Sequence, residues 1–142
     1  MVREVTPSDF AEWRRMRAAL WPDCPAELHN LEMREQMTAR HAVFVYARED
    51  GLGAFIELSV RDRVDGSESP RVGYVEGWYV DPDLRGQGIG RQLIRQAEAW
   101  TRALGLAELA SDAELINDQS IRAHEALGFR ETFRLVHFVK FV

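Results

Sequence analysis

The chain has 142 residues, of which 46% are hydrophobic and 29% charged, a balance typical of one globular domain with a single core. Its 18 basic and 23 acidic residues give a net charge of −5, which argues against non-specific nucleic-acid binding and favours a cationic small molecule. A single cysteine, Cys24, excludes an internal disulfide, and no Cys/His spacing around it predicts a metal site. No targeting segment or membrane-length apolar run is present, so we expect one soluble, cytoplasmic domain spanning residues 1–142.

Proline and turn-forming residues divide the first half of the chain into short elements. Thr6 is followed by Pro7 and Asp9, the pattern of a capped helix start. This helix is expected to end near Trp21, because a residue that precedes proline avoids helical angles. The predicted elements are, in order, a strand at Val2–Val5, helices at 6–21 and 25–37, a hairpin of His41–Ala47 and Leu52–Val60, and a polar loop or frayed hairpin end at Arg61–Pro70.

The next stretch, Val72–Val80, predicts a central strand that is covered on both sides, because both of its faces are largely apolar. Strict alternation assigns to one face Val72, Tyr74, Trp78 and Val80, and to the other Gly73, Val75, Gly77 and Tyr79. Glu76 is the exception, since it places a carboxylate among residues expected to be buried. Asp81-Pro82 ends the strand, because proline cannot continue the ladder.

The second half of the chain carries the clearest amphipathic helix, in which apolar residues from Ile89 to Leu104 recur at steps of three and four and Gly105 provides the stop. The remaining predicted elements are a strand at Ala107–Ser111, a helix at Asp118–Leu127 and a final strand at Thr132–Phe141. The order βααβββαβαβ predicts an α/β fold with a mixed sheet flanked by helices.

Between the central strand and that helix lies a glycine-rich loop, Arg85-Gly86-Gln87-Gly88-Ile89-Gly90-Arg91. Glycines let the backbone aim several N–H groups at one point, and the helix N-terminus adds positive charge, so the loop suits phosphate. It lacks the Gly-Lys-Ser/Thr of a Walker A loop, and Arg91 stands where the dinucleotide pattern needs glycine. The alternative is an ordinary strand-to-helix turn that happens to be rich in glycine.

The loop pattern Arg85-x-x-Gly88-x-Gly90 after a strand resembles the acyl-CoA pyrophosphate loop of the GNAT superfamily of N-acetyltransferases. The order of elements is similar to the GNAT fold over essentially the whole chain. Four further segments resemble the aminoglycoside 6′-N-acetyltransferases: Leu20-Trp21-Pro22, Glu76-Gly77-Trp78-Tyr79-Val80, Leu109-Ala110-Ser111-Asp112 and His124-Glu125-Ala126-Leu127-Gly128-Phe129. The resemblance implies a mostly antiparallel sheet that splays apart at the acyl-CoA site.

The resemblance also implies acetyl-CoA as cosubstrate and no metal. The expected pyrophosphate contacts are Gly86, Gln87, Gly88, Ile89, Gly90 and Arg91, and the expected pantetheine contacts are Trp78, Tyr79 and Val80, with a backbone donor for the thioester oxygen near Val80. Asn117 fits a position that hydrogen-bonds the coenzyme, although an asparagine there is equally suited to cap a helix. Arg85 either pairs with phosphate or anchors the loop to an acidic neighbour.

An amine substrate requires acidic residues nearby, because these attract an ammonium group and can take its proton. Glu76 and Asp112 are the candidates for binding or base catalysis, and each has a structural alternative: Glu76 could pair with an arginine such as Arg134, and Asp112 could be a cap or turn residue. His124 lies where many GNAT enzymes place a tyrosine that protonates the CoA thiolate, but it could instead pack on the sheet. Trp21 resembles an aromatic contact to the substrate sugar, or it packs at the helix end.

Two positions depart from the aminoglycoside pattern: Arg63 stands where a tyrosine is usual, and Phe133 where an acid is usual. The leading hypothesis is an acetyl-CoA-dependent transferase for the 6′-amino group of an aminoglycoside, acting as a homodimer. The alternatives are the same chemistry on another amine or a protein N-terminus, and a non-catalytic acyl-CoA-binding module.

Overall fold

The computed structural model describes all residues from 1 to 142 and contains one five-stranded sheet with four α-helices. The strands are β1 (Val2–Glu4), β2 (His41–Arg48), β3 (Gly51–Asp62), β4 (Arg71–Val80) and β5 (Leu109–Ala110), and the helices are α1 (Phe10–Leu20), α2 (Ala26–Gln36), α3 (Ile89–Ala103) and α4 (Asp118–Ala126). The sheet order is β1-β2-β3-β4-β5, with antiparallel pairs up to β4 and a parallel β4–β5 pair. No helix is long and apolar enough to cross a membrane.

Local sequence sets the ends of α1. A 3₁₀ turn at Pro7–Asp9 precedes the helix, and both the N–H and the hydroxyl of Thr6 donate to the carboxylate of Asp9, at 2.8 and 3.0 Å. At the other end, the Trp21 N–H donates to the carbonyl of Arg17, and the helix stops before Pro22 as predicted. Trp21 therefore occupies a fixed position at the end of α1.

Each face of the sheet carries its own core. Under α3, the buried cluster includes Ile56, Leu58 and Leu93. Under α1 and α2, a second cluster is built around Trp13 and Phe55, both of which have no solvent exposure. Because β3 contributes to both clusters and is buried over most of its length, β3 and β4 form the rigid centre on which the site is built.

The predicted final strand at Thr132–Phe141 is wrong for this chain, which has no secondary structure after α4. The segment keeps a strand-like apolar sequence, yet its side chains lie in solvent: Phe138 is 90% exposed, Val139 89% and Phe141 96%. A strand forms only where it pairs with a neighbour, and this segment pairs with none of the five strands of the sheet. The alternating apolar pattern is local, and it does not determine whether the segment pairs with a neighbouring strand.

Candidate active site

A β-bulge interrupts the pairing of β3 with β4. Glu57 pairs with Gly77, whereas the next residue of β3, Leu58, pairs with Val75, so Glu76 has no partner on β3. A bulge of this kind adds one residue to one strand and bends that strand. The lone carboxylate noticed in the sequence of β4 is therefore the extra residue of a bulge.

The bulge also changes which side chains share a face of the sheet. Trp78 packs with Val75 in the cluster under α3, and Tyr79 packs in the cluster under α1 and α2. The strict alternation, which grouped Trp78 with Tyr74 and Tyr79 with Val75, is therefore wrong. One inserted residue shifts a period-two pattern by one position, so every side chain after Glu76 faces the opposite way.

The gap between β4 and β5 begins just before the bulge. The two strands are paired at only two positions, Gly73 with Leu109 and Tyr74 with Ala110. Beyond them, β5 ends, and residues 75–80 have no strand beside them on that side. Unpaired strand backbone of this kind can hydrogen-bond an extended ligand as an added strand would. The expected pantetheine contacts, Trp78, Tyr79 and Val80, lie along this gap.

The glycine-rich loop before α3 presents a row of free backbone donors. Gly86 and Gly88 have φ angles of +78° and +80°, which favour glycine over other residues. No N–H group from residue 86 to residue 91 donates a hydrogen bond within the chain. A methyl group built on Gly86 or Gly88 would meet no atom within 4 Å, so the loop is open to a ligand. Free donors at the N-terminus of a 15-residue helix fit the diphosphate of a coenzyme.

The side chains of this loop have separate roles. The Nε of Arg85 donates to the carbonyl of Val80 at 2.9 Å, so Arg85 anchors the loop to the end of β4 through the backbone and not through an acidic neighbour. Gln87 donates to the carbonyl of Asp83 at 3.1 Å and Ile89 is buried in the core, which leaves their N–H groups as the donors for a ligand. Arg91 is exposed in the first turn of α3.

Glu76 is held by Arg61, a residue of β3. The Nε and Nη2 of Arg61 donate to the two carboxylate oxygens of Glu76 at 2.8 and 2.6 Å, and the hydroxyl of Ser59 also donates to it. The hydrogen bonds to Glu76 raise the pKa of Arg61 above its ordinary value, since they favour its charged form. The suggested structural partner, Arg134, pairs instead with Glu131.

Asp112 joins the same cluster through Tyr74. The phenol of Tyr74 donates to the carboxylate of Asp112, and the guanidinium of Arg61 stacks on the Tyr74 ring at 3.7 Å from its centroid. Burial, with the bond to Asp112 as a second cause, raises the pKa of Tyr74 and keeps its phenol protonated. The structure thus brings Glu76 and Asp112 to one place, with Arg61 between them, and Asp112 is not a helix cap.

Trp21 lies against this bulge on the face of the sheet that α1 and α2 cover. A methyl group built on Gly77 would come within 2.6 Å of Trp21 Cη2, so the indole passes directly over β4. The Arg17 guanidinium lies 4.7 Å from the ring centroid, and the Phe55 ring lies 6.5 Å away at 62°. The side chain is partly exposed, so Trp21 both packs at the helix end and presents an aromatic surface beside Glu76.

His124, on α4, occupies the other side of the sheet. Its Nε2 lies 2.7 Å from the hydroxyl of Ser111, and its Nδ1 lies 2.7 Å from the carbonyl of Ser120. The Trp78 and Phe129 rings pack against it at interplanar angles of 83° and 73°, with centroid distances of 5.3 and 5.1 Å. His124 therefore packs behind β4 near the gap, with both ring nitrogens occupied.

Asn117 caps α4. Its Oδ1 accepts the N–H of Ser120 at 3.1 Å, which is the structural role that the sequence left open. The cap engages the Asn117 carbonyl oxygen and leaves its amide NH₂ without a partner in the chain.

Three residues of the site were missed in the sequence: Arg61, Tyr74 and Ser111. Arg61 begins the stretch that was expected to be a loop or a frayed hairpin end, and β3 in fact runs to Asp62, beyond the apolar part of the hairpin. Arg61 and Ser59 alternate with buried apolar residues of β3, and this period-two pattern was the available signal. The roles of Tyr74 and Ser111 depend on contacts with other elements, for which the sequence contains no local signal.

A second cluster lies between the two N-terminal helices. Side-chain atoms of Cys24, His29 and Glu32 that could bind a metal ion lie within 4.8 Å of one another, a grouping that the spacing of these residues in the sequence does not predict. Arg17 donates to His29 Nδ1 at 3.2 Å and pairs with Glu32. The Arg17 guanidinium thus already binds both His29 and Glu32. Because Nδ1 of His29 accepts the hydrogen bond from Arg17, the hydrogen of the neutral His29 ring is on Nε2, which then has no lone pair for a metal. This donor set does not fit a metal ion.

Comparisons with known proteins agree with this geometry. The aminoglycoside N(6′)-acetyltransferase type 1 of Stenotrophomonas maltophilia is 44% identical over 139 residues, which cover 96% of this chain and 90% of the relative. The apo crystal structure of aminoglycoside antibiotic 6′-N-acetyltransferase AAC(6′)-IG from Acinetobacter haemolyticus is 33% identical, covers 100% of this chain and 99% of its own, and superposes with a TM-score of 0.94.

A third relative, AAC(6′)-Iy, was solved in complex with the bisubstrate analogue CoA-S-monomethyl-acetylneamine. It is 32% identical, covers 100% of this chain and 98% of its own, and has a TM-score of 0.93. The profile of the acetyltransferase (GNAT) family matches residues 9–129, a range that contains the bulged strand, the glycine-rich loop and α4. The chain belongs to the acetyltransferase (GNAT) family.

Proposed function

We propose that this protein is a single acetyltransferase domain, residues 1–142, that transfers the acetyl group of acetyl-CoA to the 6′-amino group of an aminoglycoside. The observation that carries the proposal is the bulge in β4. The open edge of β4 runs from this bulge, where two carboxylates cluster, to Val80, where Arg85 anchors the glycine-rich loop of free N–H donors. Relatives named as aminoglycoside 6′-acetyltransferases match nearly the whole chain, which supports the choice of substrate.

Acetyl-CoA supplies, when bound, a thioester whose carbonyl carbon can be attacked by an amine. The free N–H groups of Gly86–Arg91 hold the diphosphate, and the exposed Arg91 adds a positive charge nearby. The unpaired edge of β4 at Trp78–Val80 orients the pantetheine arm, and an N–H near Val80 polarises the thioester oxygen. The free amide NH₂ of Asn117 can donate to the same arm.

The acidic cluster binds the substrate amine as a cation and removes its proton. A primary amine with a pKa of about 10.4 is only about one part in 10³ neutral at pH 7, so it must be bound as a cation and then deprotonated. Glu76 and Asp112 provide the negative charge, and either can take the proton directly or through water. Trp21 offers a flat partly exposed ring for the sugar. In the ligand-free arrangement Arg61 occupies Glu76, so the incoming ammonium must compete with an internal cation.

His124 is the candidate acid for the departing thiolate, because it lies behind Trp78 near the gap between β4 and β5. The Phe133 position lies in the exposed C-terminal segment and is 56% exposed, so it does not line the cluster within one copy.

A thiol-release assay over a panel of amines tests the proposal. With acetyl-CoA, kanamycin or tobramycin should release free CoA, and mass spectrometry with fragmentation should place the added acetyl on the 6′-nitrogen. Polyamines and N-terminal peptides are the comparison substrates. Release only with those amines would identify a different acetyltransferase, and coenzyme binding without turnover on any amine would identify a non-catalytic module.

Two variants test the assigned roles. Glu76→Gln and Asp112→Asn remove one negative charge each while keeping the shape of the side chain. Each should lower kcat/KM for the aminoglycoside by about 10²-fold or more, as expected for loss of a base or of an ion pair. Calorimetric binding of CoA should stay within about threefold of the parent, and unchanged kinetics in either variant would remove that residue from the site.

The homodimer is part of the proposal and is supported by the C-terminal segment. Residues 132–142 carry large apolar side chains that are more than half exposed, including Phe133, Phe138 and Phe141. Exposure on this scale marks an interaction surface, and a second copy offers the same strand-like segment in exchange. Light scattering should give twice the chain mass, and Phe138→Asp with Phe141→Asp should give the monomer; a monomeric parent protein would exclude the dimer.

We further infer that the protein acts in the cytoplasm, where acetyl-CoA is made and used, and confers antibiotic resistance. Expression in a susceptible bacterium should raise the inhibitory concentration of kanamycin, whereas the Asp112→Asn variant should not. Equal protection by both proteins would contradict an enzymatic cause.

A further inference from the structure

The hydrogen bonds of His124 define which proton it carries. The Ser120 carbonyl, 2.7 Å from Nδ1, can only accept, so Nδ1 carries a hydrogen. In the neutral ring Nε2 is then an acceptor, and the hydroxyl of Ser111, 2.7 Å away, donates to it. Both nitrogens are engaged, so the ring has no free N–H to offer a ligand directly.

Ser111 sits at a junction between the two faces of the sheet. It follows β5 directly, where β4 and β5 separate, and its side chain reaches His124 on the α4 side. The next residue, Asp112, reaches Tyr74 in the acidic cluster on the other side. Ser111 is therefore one residue away from the proposed amine site and in contact with the proposed acid. It is also partly exposed, as a group that meets a ligand must be.

We propose that the hydroxyl of Ser111 is the group that protonates the departing sulfur, and that His124 acts through it. This inference rests on the proposed function. When the carbon–sulfur bond breaks, its electron pair stays on sulfur, and Ser111 transfers the hydroxyl proton to that sulfur. In the protonated ring, Nε2–H donates to Ser111 Oγ, so the hydroxyl hydrogen is free to face the sulfur. This imidazolium then passes its Nε2 proton to Ser111 Oγ and restores the hydroxyl. His124 is left neutral with its Nδ1 hydrogen in place and regains a proton from solvent, since the acylated ammonium releases one in each turnover.

His124 in this scheme is a positioning and proton-supplying residue, and Ser111 is the catalytic residue. The Ser120 carbonyl keeps Nδ1 protonated, so the only proton that the imidazolium can release is the one on Nε2, which points at Ser111. The rings of Trp78 and Phe129 pack against the imidazole, with centroid distances of 5.3 and 5.1 Å, and hold it beside Ser111.

The first test needs CoA but no turnover. A hydroxyl that donates to the sulfur stabilises the thiolate, so the thiol of bound CoA, followed by the ultraviolet absorbance of the thiolate, should titrate about one pH unit higher in Ser111→Ala than in the parent. Ser111→Thr keeps a hydroxyl and should restore the parent titration. Ser67→Ala, in the loop between β3 and β4, is a matched serine change away from the site and should leave it unchanged. Identical titrations of the parent and Ser111→Ala would overturn the proposal.

The second test reads the tautomer and the rate. Proton–nitrogen correlation spectra of the histidine ring should show a hydrogen on Nδ1 in the parent; a ring that carries a hydrogen on Nε2 alone would contradict the assignment. Ser111→Ala should lower kcat by about 10²-fold with little change in the KM for acetyl-CoA, and Ser111→Thr should recover most of that loss. Parent protein without turnover on any amine would refute the proposed function while leaving the thiol titration measurable, so the two failures are distinguishable.

Discussion

The indole of Trp21 lies over Gly77 so closely that a Cβ atom on residue 77 would come within 2.6 Å of Trp21 Cη2 and 3.1 Å of Cζ2. Gly77 is the residue that follows the bulged Glu76, so its missing side chain is what lets the end of α1 approach β4 at the site. The glycine thus sets the distance between the aromatic surface and the carboxylate.

Gly77→Ala should displace Trp21. The added methyl overlaps rigid ring atoms, and overpacking of this kind costs about 1–3 kcal/mol of unfolding free energy. Urea denaturation measures that loss, and the aminoglycoside KM should rise with it. Trp21→Phe removes the two overlapping ring carbons, so in the double variant the alanine should cost clearly less. Equal costs in both backgrounds would show that the two residues do not interact.

Gly88→Ala should weaken CoA binding. The residue has a φ of +80°, which costs a side chain about 1–2 kcal/mol, so the loop is expected to leave the conformation that aligns its N–H groups. A fall in CoA affinity of about tenfold corresponds to this range. Gly105→Ala is the matched control, because it has a φ of +74°, no atom within 4 Å of an added Cβ, and lies at the other end of α3. Both changes should lower stability similarly, and an equal loss of CoA affinity in both would contradict a specific role of the loop.

Arg17→Met should destabilise the protein by about 3–5 kcal/mol, the range for breaking a buried pair. Arg17 and Glu57 are each only 1% exposed, and without Arg17 the carboxylate keeps only the Trp13 Nε1–H donor at 2.9 Å. Thermal denaturation measures the loss, and adding Glu57→Gln should reverse part of it. No recovery in the double variant would mean that Arg17 acts through its other contacts.

The stability of Arg17→Met should depend on pH. Burial raises the pKa of Glu57, and Arg17 opposes that rise. Without Arg17, folding takes up a proton at Glu57, so stability should increase as the pH falls from neutral towards the unfolded pKa of about 4.3. A loss in Arg17→Met that is the same at pH 5 and pH 7 would contradict a buried charge as its cause.

Arg3→Met should lower the free energy of unfolding at neutral pH but not in strong acid. Hydrogen bonds from Arg3, 2.7 and 2.9 Å long, are the main cause that lowers the pKa of Asp9 to about 2. Their contribution is full above the unfolded pKa of about 3.9 and disappears as the pH falls through about 2. Because Arg3 is about one-third exposed, we expect about 1–2 kcal/mol at pH 7.

Arg71→Met is the control for that comparison. Its partner Asp62 lies 3.5 Å away and both side chains are more than half exposed, so its removal should change stability by less than about 0.5 kcal/mol. Acid titration of the unfolding free energy compares the variants, and an Arg3→Met loss that persists at pH 2 would assign the effect to packing.

The sequence predicted the existence of most elements because their patterns are local. The apolar spacing from Ile89 to Leu104 matches α3, and proline marks the ends of α1 and β4. The bulge was not predictable, since one extra residue in β4 becomes visible only against the register of β3. Its consequence for Trp78 and Tyr79 was therefore also missed.

In the site, too, local features were predictable and contacts between distant parts of the chain were not. Glu76 stood out because a carboxylate in an apolar strand breaks the pattern. Its partner Arg61 and the link from Tyr74 to Asp112 depend on contacts between strands that are distant in the chain. The final strand was wrong for the opposite reason: its local pattern is strong, but a strand also needs a paired neighbour, and this segment pairs with no strand of the sheet.

The extra residue in β4 reverses the faces to which all later side chains of the strand point. It sends the Trp78 indole towards His124 and the Tyr79 ring towards Phe55, whose centroids are 5.3 and 6.1 Å away. A nine-residue version of this strand, without the extra residue, would exchange these two aromatic groups between the faces of the sheet. The sorting of the aromatic side chains around the site into two compartments thus depends on the length of one strand.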